Sequence, residues 1–308
     1  MHRSIEVTVP PHCTPKITEG LLKNDNVIHL SVYENASFKP VGDNLVIHVL
    51  NRGTDDVFRL IENETKNEEY TVITSEVASL THSSKQHAIN HDVDEAIWEE
   101  METGLRHNGR VTVNYLILMF IGGVIASVGF ISEIPDLIIA FIAASIIAPG
   151  MEPLGKIPLG IILKKWDVLW SGTKAFFWGY LALIIASLIT FAVLANFGLA
   201  EESDFTHNQV TAGMLHIRLK DILLSIAAAT ASIIMYLSYR TNVIAGPLIA
   251  LIIIPAAAAM GISLYIQHWE FLWNFSQRFL LDVITIIVVG IICVNLKQKF
   301  LHRRQPLR

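Results

Sequence analysis

Charged residues are scarce in this sequence. Only 17% of its 308 residues are Asp, Glu, Lys or Arg, whereas soluble domains average about a quarter. Most of these charges fall in positions 1–110, and positions 111–296 consist mainly of long apolar runs. A helix needs about 20 apolar residues to cross the hydrocarbon of a bilayer. The composition therefore excludes a soluble enzyme and predicts a soluble N-terminal part followed by a polytopic membrane part.

Several other features are missing. The two cysteines, Cys13 and Cys293, fall in different predicted compartments, so we expect no structural disulfide. The net charge of −5 and the lack of a basic stripe argue against a nucleic-acid partner. The membrane part contains no His-Glu-x-x-His, Ser/Lys or paired-Asp arrangement. Hydrolytic chemistry would need such residues, so we expect no enzymatic activity.

We also expect no cofactor and no metal. The soluble part has no glycine-rich phosphate loop. His87 and His91 are four residues apart and could share a helix face that binds a metal. Nothing nearby supplies a third ligand, so a solvated linker is the favoured interpretation.

Residues 1–78 have the pattern of a small α+β domain. Alternating apolar residues predict strands at 3–9, 27–33, 44–50 and 70–74, with one helix after the first strand and another after the third. This βαββαβ order predicts a ferredoxin-like fold. A docking or oligomerisation module and a small-ligand sensor are both consistent with it.

Residues 79–110 are predicted to be a linker with an acidic amphipathic helix over 92–105. Val93, Ile97, Met101 and Leu105 are spaced four apart, with Trp98 beside them. Such a stripe is too apolar to be exposed on a linker. Together with an uncovered sheet face, it predicts a homo-oligomer, most simply a dimer.

Residues 111–296 are predicted to form six transmembrane helices: 111–131, 135–163, 173–197, 219–238, 242–266 and 275–296. Their cytosolic flanks hold ten Lys or Arg residues, including the basic tail at 297–308, and their outer loops hold three: Arg218, Lys220 and Arg278. The positive-inside rule then places both termini in the cytosol. The first residues also lack the apolar core of a signal peptide.

An internal similarity suggests a repeat. A shift of 106 residues aligns Pro149 with Pro255 and Gly155 with Gly261. Pro149 and Gly155 lie in the second predicted crossing, and Pro255 and Gly261 lie in the fifth, so each segment is in the middle of a set of three crossings. Because three is odd, the two sets run through the membrane in opposite directions. This predicts an inverted 3+3 repeat with proline-broken helices, the architecture of many secondary transporters. Kinks that only improve helix packing are the alternative.

Charged residues within the apolar spans are the other site candidates. Glu152 and Lys156 are one helical turn apart and could pair. An intramembrane carboxylate is expensive, so Glu152 is either an ion- or proton-binding residue or half of a structural ion pair. Gly246, close to the second proline segment, is also a candidate. The predicted substrate or ion site comprises Pro149, Glu152, Pro153, Lys156, Gly246 and Pro255. Asp282, Gly155 and Gly261 are a second tier.

The residues of these two proline segments resemble a known family. The first is Ile146-Ile147-Ala148-Pro149-Gly150-Met151-Glu152-Pro153-Leu154-Gly155, and the second is Ala245-Gly246-Pro247-Leu248-Ile249-Ala250-Leu251-Ile252-Ile253-Ile254-Pro255. They are similar to the two motifs of a prokaryotic membrane family catalogued as domain of unknown function 389, the "uncharacterised hydrophobic domain". Gly150 and Glu152 stand where its first motif has Leu and Gly. The resemblance implies a bacterial or archaeal inner membrane and gives no activity.

Two functions follow from these patterns. The favoured one is a secondary transporter or channel-like permease for a small solute or ion, regulated or assembled by its cytosolic domain. The alternative is a membrane-anchored ligand sensor that transports nothing. A hydrated cavity between the proline segments would favour transport, and a dry bundle would favour sensing.

Overall fold

The computed structural model describes residues 2–66, 68–93, 95–238 and 245–304, with the side chains of 105–108 and 245–249 outside the description. The chain divides into two compact units. Unit 1 is Met1–Glu100 together with Lys297–Arg308, and unit 2 is Met101–Leu296.

Unit 1 contains a four-stranded antiparallel sheet with strand order β2-β3-β1-β4. The strands are β1 (His2–Val9), β2 (Val27–Phe38), β3 (Val41–Val49) and β4 (Thr71–Val77). Helix α1 (Thr14–Leu22) follows β1, and α2 (Thr54–Glu64) follows β3. The predicted element order is confirmed. β2 is five residues longer than the predicted 27–33, and its pairing with β3 shifts register between Tyr33 and Ser37.

The core of unit 1 lies between one sheet face and the two helices. Alternate residues of β1 and β3 point into it, because successive side chains of a strand face opposite ways. They meet apolar residues of both helices and Ile97 from the segment after β4. The fully buried members from β1 and β3 are Ile5, Val7, Val9, Leu45, Ile47 and Val49.

The segment after β4 forms α3 (Gln86–Asn90) and α4 (Trp98–Asn108). The helix predicted to start at 92 therefore starts at Trp98, so that prediction was wrong at its beginning. The Asn51 amide donates to the carbonyls of Val93 and Glu95. The Asp92 carboxylate accepts from the backbone N–H of Asn51 at 2.6 Å. These contacts with Asn51 hold Asp92, Val93 and Glu95 against the chain just before α2, in place of a further turn of α4.

Unit 2 is helical. Its helices are α5 (Val113–Phe130), α6 (Ile134–Ile147), α7 (Glu152–Ile162), α8 (Trp166–Asn196), α9 (Glu202–Thr206), α10 (Gln209–Met214), α11 (Leu219–Leu237), α12 (Ala245–Tyr265) and α13 (Trp269–Phe300). The last of these ends in unit 1, since its residues from Lys297 onward cluster there.

Four described helices are long and apolar enough to cross a membrane: α5, α8, α11 and α13. The bent pair α6–α7 makes a fifth if it is one span, and the described apolar part of α12 is shorter, at 250–265. The protein is therefore a membrane protein with four to five candidate spans, and the sixth crossing stays a prediction. Helix α12 packs against α5, α6, α8 and α11, and residues Ala256–Ala259 are completely buried.

Candidate functional site

The candidate site is built around the break between α6 and α7. The two helices are bent by 47°, and the chain from Ala148 to Met151 is not helical. Pro149 and Pro153 have no N–H to donate, so continuous helical bonding cannot run through this stretch. The Gly150 carbonyl accepts a hydrogen bond from the buried hydroxyl of Tyr180 at 3.1 Å. The break predicted at the first proline segment is therefore present, and protein groups satisfy its freed backbone.

Gly150 allows a close approach at this break. A Cβ at this position would lie 2.8 Å from the Tyr180 hydroxyl oxygen and 3.8 Å from the Cβ of Ala250. The break thus lies beside the first half of α12. Gly150 is one of the two residues that depart from the motif quoted above, and a side chain here would collide with the tyrosine hydroxyl.

Glu152 begins α7, where the positive end of the helix dipole favours a carboxylate. Its Oε2 atom is buried and has no hydrogen-bond partner among the described residues. The hydroxyl of Tyr236, on α11, faces the same carboxyl group. A buried polar atom without a partner is uncommon and points to an unseen water, ion or proton.

Lys156 lies one turn after Glu152 and is buried. Its Nζ donates to the Gly109 carbonyl at 2.6 Å and to Ser171 Oγ at 3.3 Å. The ammonium is thus directed to the connection before α5 and to α8. Its attraction still reaches the Glu152 carboxyl. The two side chains predicted to pair have different hydrogen-bond partners.

A small cavity lies next to this group. It has a volume of about 20 Å³, and Met151, Gly155, Pro158 and Tyr236 contribute to its lining. A water molecule needs about 10–15 Å³ of such space. The cavity thus has room for about one water, but its lining is apolar except for Tyr236. Gly155 is the second-tier candidate that lines it.

The second proline segment differs from the first. Pro255 lies inside α12, and the helix continues through it to Tyr265, so the predicted break at Pro255 is wrong. A proline inside a helix removes one donor and bends the helix without having to end it. Gly261 is buried, and a Cβ there would lie 2.4 Å from the Ile184 carbonyl oxygen of α8. Gly246 falls among 245–249, whose surroundings are outside the described residues.

Asp282 belongs to a different cluster. It is buried on α13, accepts from Ser225 Oγ at 2.5 Å and lies 3.3 Å from Arg278 Nε. Arg278 Nη1 also lies 3.5 Å from Asp221 Oδ2. Arg278 and Asp282 are four residues apart on α13 and form an ion pair within that helix. Sequence reasoning missed Ser225 and Asp221, although they are four apart on one apolar helix.

The tyrosines were also missed. Tyr180 and Tyr236 contact the break and Glu152, and the buried Tyr115 donates to the Ala175 carbonyl at 2.8 Å. Tyrosine in membrane helices is enriched at the two interfaces. Tyr180 and Tyr236 instead lie within long apolar sequences. This unusual position could have marked them as candidate site residues.

Residues 145–288 match the family model described as "Domain of unknown function (DUF389)". This segment of the chain is similar to that family. The match covers the break, Glu152, α8, α11, α12 and the Asp282 cluster. No curated protein matches the chain.

Proposed function

We propose that the membrane unit of this protein is a secondary transporter or channel-like permease for a small solute or ion, with Glu152 as the residue that binds a proton or cation. The observation that carries the proposal is the buried Glu152 oxygen without a partner among the described residues. It lies at the start of α7, directly after a break in an apolar helix pair.

The buried Glu152 oxygen that lacks a partner within the described part of the chain destabilises the ionised carboxyl group. An ionised carboxylate in a low-dielectric environment loses its hydration, and an unmade hydrogen bond adds about 1–3 kcal/mol. Protonation or cation binding removes much of this cost. Tyr236 can donate to the ionised form and also lines the small cavity nearby. A group that is stable only with its ligand bound is suited to coupling binding with a conformational change.

The wider architecture is part of the proposal. We propose six crossings, an inner-membrane location with cytosolic termini, and an inverted 3+3 repeat with Pro149 and Pro255 facing each other. The αβ unit has the strand order expected of a ferredoxin-like fold. Residues 297–304 cluster with 1–100 in unit 1. This supports the proposal that both ends lie on one side of the membrane, as an even number of crossings requires.

The second candidate, a membrane-anchored sensor without transport, is favoured by a different observation. The described part of α12 is tightly packed, with Ala256–Ala259 completely buried. Ser187 Oγ of α8 also donates to the Ala258 carbonyl at 2.8 Å. A sensor needs only such a dry bundle, whereas a transporter must open a path during its cycle.

The test compares Glu152→Gln with Asp136→Asn, an exposed carboxylate on α6. Both variants replace a carboxylate with an amide of nearly the same volume. We expect the thermal stability of purified wild-type protein to increase with one of a panel of monovalent and divalent cations or with falling pH. Proteoliposomes containing a pH-sensitive dye should show proton or ion flux under an imposed gradient.

Glu152→Gln should abolish both responses while the protein still folds, and Asp136→Asn should keep both. Wild-type stabilisation without flux would favour the sensor. Normal responses in Glu152→Gln would show that Glu152 only supports the helix break.

We further propose that the protein is a homodimer. The stripe that first suggested it is partly accounted for, because Ile97 and Trp98 are buried within their own chain. Support now comes from the sheet, where Tyr33 on β2 and Ile73 on β4 are exposed. Mass measurement in mild detergent should give twice the chain mass, and a monodisperse monomer would contradict the dimer.

A further inference from the structure

The most extensively bonded polar contacts in unit 1 involve the C-terminal tail, residues 297–304. The Arg304 guanidinium makes a two-point contact with Glu99, with Nη1–Oε1 at 2.6 Å and Nη2–Oε2 at 2.5 Å. Its Nε donates to Asp55 Oδ1 at 3.0 Å. Its Cζ lies 4.1 Å from the centroid of the Phe58 ring. Only 5% of the arginine is exposed.

This geometry is that of an arginine pocket. The planar guanidinium carries donors in a fixed fork that matches a carboxylate, and it stacks on aromatic faces. Asp55 and Phe58 are three residues apart on α2, so they share one helix face. Asp55 is also in the first turn of α2. Two carboxylates and an aromatic ring surround one buried arginine, so the pocket is specific for a guanidinium group. An exposed ion pair, in contrast, contributes little to stability.

Further contacts extend the pocket along the tail. His302 Nδ1 lies 3.0 Å from Asp55 Oδ1, and the His302 carbonyl accepts from the indole N–H of the fully buried Trp98 at 3.2 Å. Lys297 Nζ lies 2.7 Å from Glu95 Oε2. Three carboxylates of the soluble domain, Asp55, Glu95 and Glu99, thus face the basic groups of the tail.

We propose that Asp55, Phe58, Trp98 and Glu99 form a receptor surface for a basic peptide, that its occupant is the protein's own tail through Arg304, and that release of the tail regulates the membrane unit. The tail begins at Lys297, in the last turn of α13, so its release removes a restraint on the C-terminal end of that helix. The regulatory half of this inference rests on the proposed transport function, and the binding half does not.

The binding half is tested by hydrogen exchange on the full-length protein in detergent. Tail amides at 298–304 should be protected in the wild type. Arg304→Ala should raise their exchange rate at least about tenfold, since breaking a buried charged pair costs well over the 1.4 kcal/mol that corresponds to tenfold. Arg303→Ala is the matched control, because Arg303 is exposed beside it and its loss should change the rate less than about twofold. Arg304→Lys, which keeps the charge but loses the fork, should fall between them.

Equal exchange in Arg304→Ala and the wild type would overturn the proposal. Protection that falls on dilution would also overturn it, because the tail would then come from a second copy. A synthetic peptide of residues 297–304, added to the wild-type protein, should compete with the tail for the pocket. The exchange rate of the tail amides should then rise.

The regulatory half uses the flux assay. Where the wild type transports, Arg304→Ala should change the flux at least about twofold and Arg303→Ala should not, and unchanged flux in Arg304→Ala would refute regulation. Where the wild type shows no flux, the transport proposal fails by itself, and the exchange result still decides whether the tail is bound.

Discussion

At the residue scale, Tyr115 and Gly179 determine how closely α5 approaches α8. A Cβ at Gly179 would lie 2.1 Å from the Tyr115 hydroxyl oxygen, and this hydroxyl is buried and bonded to the Ala175 carbonyl. Gly179→Ala should destabilise unit 2 by about 1–3 kcal/mol, because the ring cannot move without losing its hydrogen bond. Gly104→Ala on α4 is the control, since nothing lies within 4 Å of its added Cβ. It should be neutral or slightly stabilising. Thermal unfolding of both variants tests this, and an unchanged melting temperature in Gly179→Ala would contradict the close approach.

Asp55 gives the tail contact a pH dependence. Burial by itself would raise the pKa of Asp55, but its hydrogen bond to His302 and the charges of His302 and Arg304 outweigh burial and hold the pKa below its ordinary value. A lowered pKa stabilises the folded form above the ordinary value of about 3.9, and this contribution is lost as the pH falls through the folded-state pKa. Glu99 is the other carboxylate that faces Arg304.

We therefore expect tail protection to persist from neutral pH to about pH 4 and to fall below it. Hydrogen exchange, corrected for the intrinsic rate at each pH, measures this. In Asp55→Asn, protection should be lower at neutral pH and should show a smaller acid-induced fall. An identical pH profile in wild type and Asp55→Asn would show that Asp55 does not stabilise the tail.

Glu152 and Lys156 illustrate what spacing alone can predict at this scale. Their separation by one turn is a property of the sequence, and both are indeed on α7. Their hydrogen-bond partners come from α11, α8 and the connection before α5, which are distant in the chain. No local pattern encodes Tyr236 or Gly109 as a neighbour, so the composition of the site required the tertiary structure.

At the element scale, the break between α6 and α7 depends on Tyr180. Tyr180→Phe removes the hydrogen bond to the Gly150 carbonyl and leaves that buried group without its donor, at a cost of about 1–3 kcal/mol. Tyr265→Phe at the end of α12 is the matched control, because Tyr265 is 37% exposed. We expect a lower melting temperature only in Tyr180→Phe. Equal melting temperatures in the two variants would show that the break is held by other contacts.

The two proline segments show the limits of motif reasoning for elements. Their similar sequences predicted two similar breaks, yet only the first is broken. In the first, Pro149, Gly150 and Pro153 fall within five residues, so several helical bonds are lost together. In the second, Pro255 is followed by four alanines that keep helical geometry and pack closely. The number of helix-breaking residues in a short window decided the outcome more than the aligned proline did.

At the scale of the whole molecule, the six-crossing proposal fixes which segments share a side. Lys66 and Arg303 are exposed in unit 1, and Glu202 is exposed in the connection between α8 and α11. Cysteines introduced at 66 and 303 should react with a membrane-impermeant maleimide from the cytosolic side, and one at 202 should react only from the opposite side. The unmodified protein, with Cys13 and Cys293, gives the background. Labelling of all three positions from one side would exclude the six-crossing topology.

Composition and periodicity were enough to predict the division into a charged αβ part and an apolar helical part and the order of strands and helices in unit 1, and the two proline segments carried the resemblance to the DUF389 family. Hydrophobic periodicity and apolar length are local properties, and they are sufficient for these conclusions. The tertiary structure was needed to show that residues 297–304 belong to unit 1, that Trp98 is buried inside that unit, and that Tyr236 faces Glu152. Each of these joins residues far apart in the chain, and such contacts follow from packing and charge complementarity in three dimensions, which a single sequence does not display.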